Sequence, residues 1–373
     1  MTRLHDLYEI GGQSPWLDNL RRDYLRSGRL GDLVSRGVRG VTSNPTIFAK
    51  AIETDDDYDE QFGDLLASHD IEAAYWEMVV SDITAALEVL APVHEASGGI
   101  DGYVSVEVAP ALAHDAPGTL SAARSLHERI AAPNLHVKVP ATLEGVEAIR
   151  TLVAEGHSIN VTLIFGLARY GEVVEAYIGG LEDRLASGVD DLSPVRSVAS
   201  FFVSRVDTEV DRRLDRLADR DDSRAEQLLA LRGTAAVAQA RAAYGIFTEK
   251  FSSQRWVNLA AHGATVQRPL WASTSTKNPA YPDLAYVETL IGPDTVNTMP
   301  DETLDAFLDH GKVLRTVDSD PGAGPAALDR LAEAGIDMED VAATLEDQGV
   351  AGFTKSFDEL LEVLATKAKQ MAG

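Results

Sequence analysis

The chain has 373 residues, 45% hydrophobic and 25% charged, a balance that fits a folded globular protein and excludes a disordered one. Lys plus Arg number 33 against 59 Asp plus Glu, and the formal net charge of −26 repels nucleic acid and anionic membrane surfaces. Cysteine is absent, which removes disulfides, thiolate catalysis and Cys-based metal centres. The opening stretch "MTRLHDLYEIGGQSPWLDNL" has no apolar run of signal-peptide length, and nothing in the chain approaches a membrane span. We therefore expect a cytoplasmic protein with neither a membrane nor a nucleic-acid partner.

Eight short apolar segments recur along the chain and predict strands: "PWLDNL" (15–20), "VRGVTSN" (38–44), "GYVSVEV" (102–108), "LHVKVPA" (135–141), "INVTLIF" (159–165), "SVASFFV" (197–203), "RPLWAST" (268–274) and "DTVNTMP" (294–300). Amphipathic stretches separate them, such as 71–96 and 144–156, each long enough to cross back over a sheet. Strand–helix alternation implies a parallel sheet, and eight strands point to an α/β fold of the (β/α)8, or TIM-barrel, type. The charge-laced segment 211–227 reads as an exposed helical insertion. From about residue 323 three further helical patterns follow, expected as outer-layer packing. No Pro- or Ser-rich linker divides the chain, so a single domain is expected.

Strand side chains alternate between faces, so the polar residues of these segments sort by parity. One face of 135–141 collects Leu135, Val137 and Val139, and the other collects His136 and Lys138. The same parity elsewhere gives inward sets of Trp16 with Asp18, Thr42 with Asn44, Ser105 with Glu107, Asn160 with Thr162, and Ser200. Barrel enzymes assemble their chemistry from the carboxyl ends of several strands, which is where these groups lie. A hydrogen-bonded plug at the barrel mouth is the structural alternative.

Among eight lysines only Lys138 sits in a strand interior. An edge lysine facing water is the ordinary reading of such a residue. An amine desolvated in an apolar pocket, however, has a lone pair to attack a ketone and form a Schiff base. An ion pair would need one carboxylate; imine chemistry followed by carbon–carbon cleavage needs two acid/base groups, and Asp18 and Glu107 supply them from different strands. The nine histidines show no H-x-H or H-E-x-x-H spacing, so no metal is implied, and His136, two residues deeper than Lys138, reads as a packed side chain. Phosphate-cradling glycine motifs of the P-loop or dinucleotide type are missing as well.

The segments "GVTSNPTIF" (40–48), "VKVPAT" (137–142), "INVTLIF" (159–165) and "LWASTSTKNPAYPD" (270–283), in that order, resemble the motifs of the transaldolase family. Their wording, with "LIGPDTVNTMP" (290–300), is closer to the larger actinobacterial and plant-type branch. The resemblance implies that Lys138 forms the Schiff base, that Asp18 handles the hydroxyl proton in carbon–carbon cleavage, and that Glu107 works with Thr162 through a water. It implies that Thr42, Asn44, Asn160 and Ser200 hold hydroxyls of a dihydroxyacetone unit, and that Arg205 and Ser273 take a substrate phosphate. The shorter branch has an arginine close after that serine; here Ser275 and Lys277 occupy the region, Lys277 being either a phosphate ligand or a solvated loop lysine. Sugar phosphates are the implied substrates. No cofactor is implied, because the lysine is itself the electron sink. A Schiff-base aldolase of the same fold, or a non-catalytic sugar-phosphate-binding barrel, are the rival readings.

Overall fold

A computed structural model of the protein describes residues 1–54 and 56–371. Eight parallel strands close into a barrel in chain order: β1 (Gln13–Leu17), β2 (Gly40–Thr42), β3 (Tyr103–Glu107), β4 (Leu135–Pro140), β5 (Ile159–Ile164), β6 (Ser197–Phe202), β7 (Arg268–Ala272) and β8 (Thr295–Met299). Closure comes from β1 pairing with β8, five residues in register from Gln13 opposite Thr295 to Leu17 opposite Met299. Every strand residue is buried, because helices cover the outer face and side chains fill the interior. Seven of the eight predicted segments contain one of these strands; the first, 15–20, overlaps β1, which starts two residues earlier at Gln13 and ends at Leu17.

Local chemistry explains how the key strand hands over to its helix. After Lys138, the Thr142 hydroxyl accepts from Gly145 N at 3.0 Å and caps the helix Leu143–Glu155, which ends on Gly156 in the left-handed conformation. Gly145 is required there, since a β-carbon would lie 1.9 Å from Pro140 O. Gly40 has a parallel role in β2, where a β-carbon would lie 2.4 Å from the Trp16 ring. The predicted helix 71–96 forms in full as Ile71–Ala96, with the Asp70 side chain accepting from Ala73 N at 2.8 Å.

Two regions differ from expectation. The charged stretch beginning at 211 is not separate from the barrel: its first part completes the helix Ser204–Ala218 that follows β6, with Leu214 and Ala218 buried and the charges on the outer face. The helical character was expected; what the run of Arg and Asp hid was its continuity with the helix that follows β6. The C-terminal helix Met338–Met371, expected in the outer layer, packs against the helix Pro45–Thr54 and against β5 at the carboxyl end of the barrel. Its apolar stripe of Phe353, Phe357, Leu360 and Leu364 is buried, Phe357 meets Tyr75 edge-on at 5.4 Å, and Thr46 donates to Ser356 at 2.9 Å.

Candidate active site

Strand register brings the inward polar residues together. Glu107 of β3 lies opposite Lys138 of β4, Lys138 opposite Asn160 of β5, and Thr42 of β2 opposite Ser105 of β3. At the carboxyl end of the barrel they border a cavity of about 170 Å³, whose wall includes Asp18, Thr42, Asn44, Lys138, Thr162 and Ser200. Arg205, Ser273, Ser275 and Lys277 complete the mouth on the β6 and β7 side. Glu107 and Asn160 stand behind this wall.

Lys138 is 5% exposed; its Nζ donates to Ser43 O at 3.0 Å and lies 3.1 Å from Glu107 Oε2. Glu107 Oε2 has no well-aligned donor, so the pair is an electrostatic contact more than a fixed hydrogen bond. Burial pushes the Glu107 carboxyl above its ordinary range, Lys138 opposes that, and Asp18 adds to it. Asp18, just past the end of β1, accepts from Thr42 Oγ1 at 2.7 Å. Burial raises its pKa as well, against the pull of Lys138, the Thr42 hydroxyl, Lys277 and Arg205.

The remaining polar groups divide into those already engaged and those open. Ser200 Oγ donates to Asn160 Oδ1 at 2.7 Å and Asn160 Nδ2 donates to Ser105 Oγ at 3.0 Å, so Asn160 orients Ser200 from beneath. Asn44 Oδ1 accepts from Ile47 N at 3.0 Å and is used in turning the chain into its helix, while the residue also lines the cavity. Thr162 Oγ1 is buried with no partner. The next residue, Leu163, has φ of 59°, and the β5–β6 register shifts between Val161 and Ile164, an irregularity of the kind that re-aims side chains beside active sites.

Arg205 forms no ion pair and no hydrogen bond among the described residues; its guanidinium lies 5.3 Å from the centre of the Phe202 ring. Burial lowers its pKa and Asp18 opposes that, but a guanidinium stays charged throughout the physiological range. Ser273, at φ 56°, shares a 3.0 Å hydroxyl contact with Ser204, and Lys277 Nζ donates to Ser275 Oγ at 2.7 Å. Lys277 is exposed yet borders the cavity.

Five lining residues were missed, Ala272 at the end of β7 among them. Thr298 meets Thr42 at 2.7 Å, hydroxyl to hydroxyl, and its inward direction follows only from the β1–β8 register, which places it opposite Trp16. Phe202 shares the parity of Ser200, so that signal was present in the sequence. Pro300 and Phe353 also line the cavity, and for Phe353, which comes from the C-terminal helix, the sequence carries no signal. His136 is packed as expected, stacked on Tyr103 at 4.0 Å and 6°.

A buried lysine beside a carboxyl group, a second carboxyl group across the cavity and a charged guanidinium without a counter-ion can together form an imine, move protons and hold an anion. The family model for transaldolase/fructose-6-phosphate aldolase matches residues 15–364. A transaldolase of Thermobifida fusca is 51% identical over 357 residues, covering 95% of both chains. One from Frankia alni is 48% identical over 357 residues, 95% of this chain and 94% of that one, and one from Mycolicibacterium smegmatis is 48% identical over 354 residues, 94% of each. The chain belongs to the transaldolase/fructose-6-phosphate aldolase family of (β/α)8-barrel enzymes.

Proposed function

We propose that the chain moves a dihydroxyacetone unit from a ketose phosphate, sedoheptulose 7-phosphate or fructose 6-phosphate, to an aldose phosphate, glyceraldehyde 3-phosphate or erythrose 4-phosphate. The observation that carries the assignment of roles is Lys138 Nζ held 3.1 Å from Glu107 inside the barrel while Asp18 stands on the cavity wall under the positive influence of the same lysine. Lys138 attacks the C2 ketone; its proton passes to Glu107 and returns to the carbinolamine hydroxyl, which leaves as water. Thr162 Oγ1 holds that water; its lack of a hydrogen-bond partner among the described residues supports this role.

Asp18 then takes the C4 hydroxyl proton, the C3–C4 bond breaks into the iminium, and the aldose phosphate departs. The three-carbon enamine stays on Lys138, and Thr42, Asn44 and Ser200 hold its hydroxyls. The acceptor aldehyde is attacked by the enamine carbon, its oxygen recovers the proton from Asp18, and hydrolysis of the new imine releases the product ketose. Arg205 anchors the phosphate, with Ser273, Ser275 and Lys277 at the rim. These substrates suit a cytoplasmic enzyme.

A product assay with and without acceptor, combined with borohydride trapping, tests this. Transfer predicts a three-carbon adduct on Lys138 and ketose product only when an acceptor aldose is added. Release of free dihydroxyacetone at the same rate without acceptor would make the chain an aldolase. No adduct in the presence of fructose 6-phosphate would leave only a sugar-phosphate-binding barrel.

A further inference from the structure

The opposite end of the barrel has its own set of open polar groups. There the loops leading into β3, β4, β5 and β6 border an open cavity of about 570 Å³, lined by His94, Glu95, Gly99, His127, Ser158 and Arg196 among others. A second cavity of about 240 Å³ shares Tyr103 and Arg196 and reaches His136 and Arg268 deeper in the barrel.

The nitrogen atoms around these cavities are short of partners. His136 is 1% exposed, and among the described residues neither of its ring nitrogens has a hydrogen bond; His127 Nε2 is also buried without a well-aligned partner, although the Ser158 backbone acts on this ring. Arg196 donates from Nε to Gly99 O at 2.9 Å and from Nη1 to Ser193 O, while Nη2 makes no hydrogen bond and the side chain has no carboxylate partner among the described residues. A β-carbon on Gly99 would stand 3.5 Å from His94 Nε2 and 3.7 Å from Arg196 Nη2, so the glycine leaves open a point that both nitrogens address. The buried carboxylate nearby, Asp101, is fully occupied: it accepts from Ser14, Trp16, Arg39 and Arg268.

The ordinary explanation for His94 and His127 is their place in the last turns of the helices Ile71–Ala96 and Ala116–Ile130, where a positive charge offsets the helix dipole. Neutral imidazoles cannot do that. Burial and then Arg196 hold the His94 pKa below its ordinary value, and burial and then the stacked His157 hold His127 down to about 4. For His136, burial comes first and Arg268 next. Arg196 and the imidazoles thus crowd one another, and the one carboxylate on this cavity wall among the described residues, Glu95, is exposed and acts on His94 less than burial and Arg196 do.

We propose that this cavity is a second anion site, separate from the active-site cavity, that takes a phosphate group, inorganic or as a monoester, on Arg196, His94 and His127. Phosphate fits better than a carboxylate or sulfate for a chemical reason. A neutral imidazole offers one donor and one acceptor, and hydrogen phosphate both accepts from N–H groups and donates an O–H, whereas the other anions only accept. The inference does not depend on the transfer chemistry at Lys138.

Histidine-ring NMR of the intact protein tests it selectively, because no histidine borders the active-site cavity. Titration with inorganic phosphate at neutral pH should give saturable shifts of the His94 and His127 ring signals, which a matched sodium chloride titration does not reproduce. Fructose 6-phosphate forms the second arm: shifts with the ester and not with the inorganic ion assign the site to a monoester, and the reverse assigns it to free phosphate. Arg196→Lys should weaken binding at least about tenfold by losing the forked donor. His94→Gln, a change at a half-buried ring, should weaken it similarly while the fold persists. Histidine signals that stay still to tens of millimolar phosphate and ester, shifts matched by chloride, or unchanged affinity in both folded variants overturn the proposal.

Discussion

Each end of the barrel buries a carboxylate among cations, and the two are wired in opposite ways. At the amino end Asp101, fully enclosed, accepts from Ser14 at 2.8 Å, Trp16 at 3.2 Å, Arg39 at 2.9 Å and Arg268 at 3.0 Å. Burial alone would raise its pKa, but Arg268, Arg39 and Ser14 outweigh that and leave it below the ordinary range. At the carboxyl end Asp18 has a single hydroxyl partner, Glu107 a loosely aligned lysine and Arg205 no counter-ion, and both carboxyl groups titrate above their ordinary range. A saturated cluster holds structure; an unsaturated one keeps its valences for a substrate.

Substitutions at the two ends should therefore fail differently. Lys138→Ala should reduce turnover by about 10⁴-fold or more and abolish borohydride trapping. It should remain folded by circular dichroism, because burial already raises the Glu107 pKa and the abandoned carboxyl can take up a proton in place of its lost partner. Asp101→Ala should do the reverse, costing about 3–5 kcal/mol in a urea unfolding experiment by leaving Arg39 and Arg268 uncompensated, with kcat of the folded fraction near wild type. Comparable stability losses in both variants would erase the distinction.

Asp18→Ala sharpens the contrast inside the active site. Trapping of a preformed adduct should survive while cleavage slows by about 10²–10⁴-fold, and equal loss of both would make Asp18 a positioning group. Arg205→Ala should raise KM for phosphorylated donors by about tenfold, or ~1.4 kcal/mol, and leave an unphosphorylated donor nearly unaffected.

The smallest effect is one of sign. A carboxyl group whose folded pKa is raised binds its proton more tightly in the native state, so its contribution to stability is present below the unfolded value of ~3.9–4.3 and is lost as pH rises through the folded one. A depressed pKa works the other way: the stability is present above the unfolded value and lost as pH falls. Asp18→Asn should accordingly gain stability relative to wild type between mildly acidic and neutral pH, and Asp101→Asn should lose it. Unfolding free energies measured across that interval with the same sign for both would contradict the assigned environments.

The sequence carried the barrel because its strands alternate so strictly, and Lys138, Thr42, Glu107 and Ser200 could be placed on the inner face by counting alone. Counting gives a face and not a depth. It could not tell that Glu107 and Asn160 sit behind the cavity wall, or that Asn44 has its carbonyl oxygen committed to Ile47 N. Thr298 became visible only once β8 was in register with β1. Lys277, ambiguous in the sequence, is both exposed and on the cavity border. Phe353 was out of reach altogether, since its position depends on how a helix distant in sequence crosses the barrel.

That last residue has a consequence for how the protein is made. Asp18 and Phe353 border one cavity, and the first strand, paired with the second at Leu17 alone, gains its five-residue ladder only from the eighth. A chain emerging from the ribosome holds Asp18 exposed until β8 has followed, and lacks the aromatic wall until the C-terminal helix is nearly complete, an interval of tens of seconds at ~5–20 residues per second. The cavity thus receives its full set of walls only after the helix Met338–Met371 has been made, and Asp18 and Lys138 are synthesised well before the wall that closes over them.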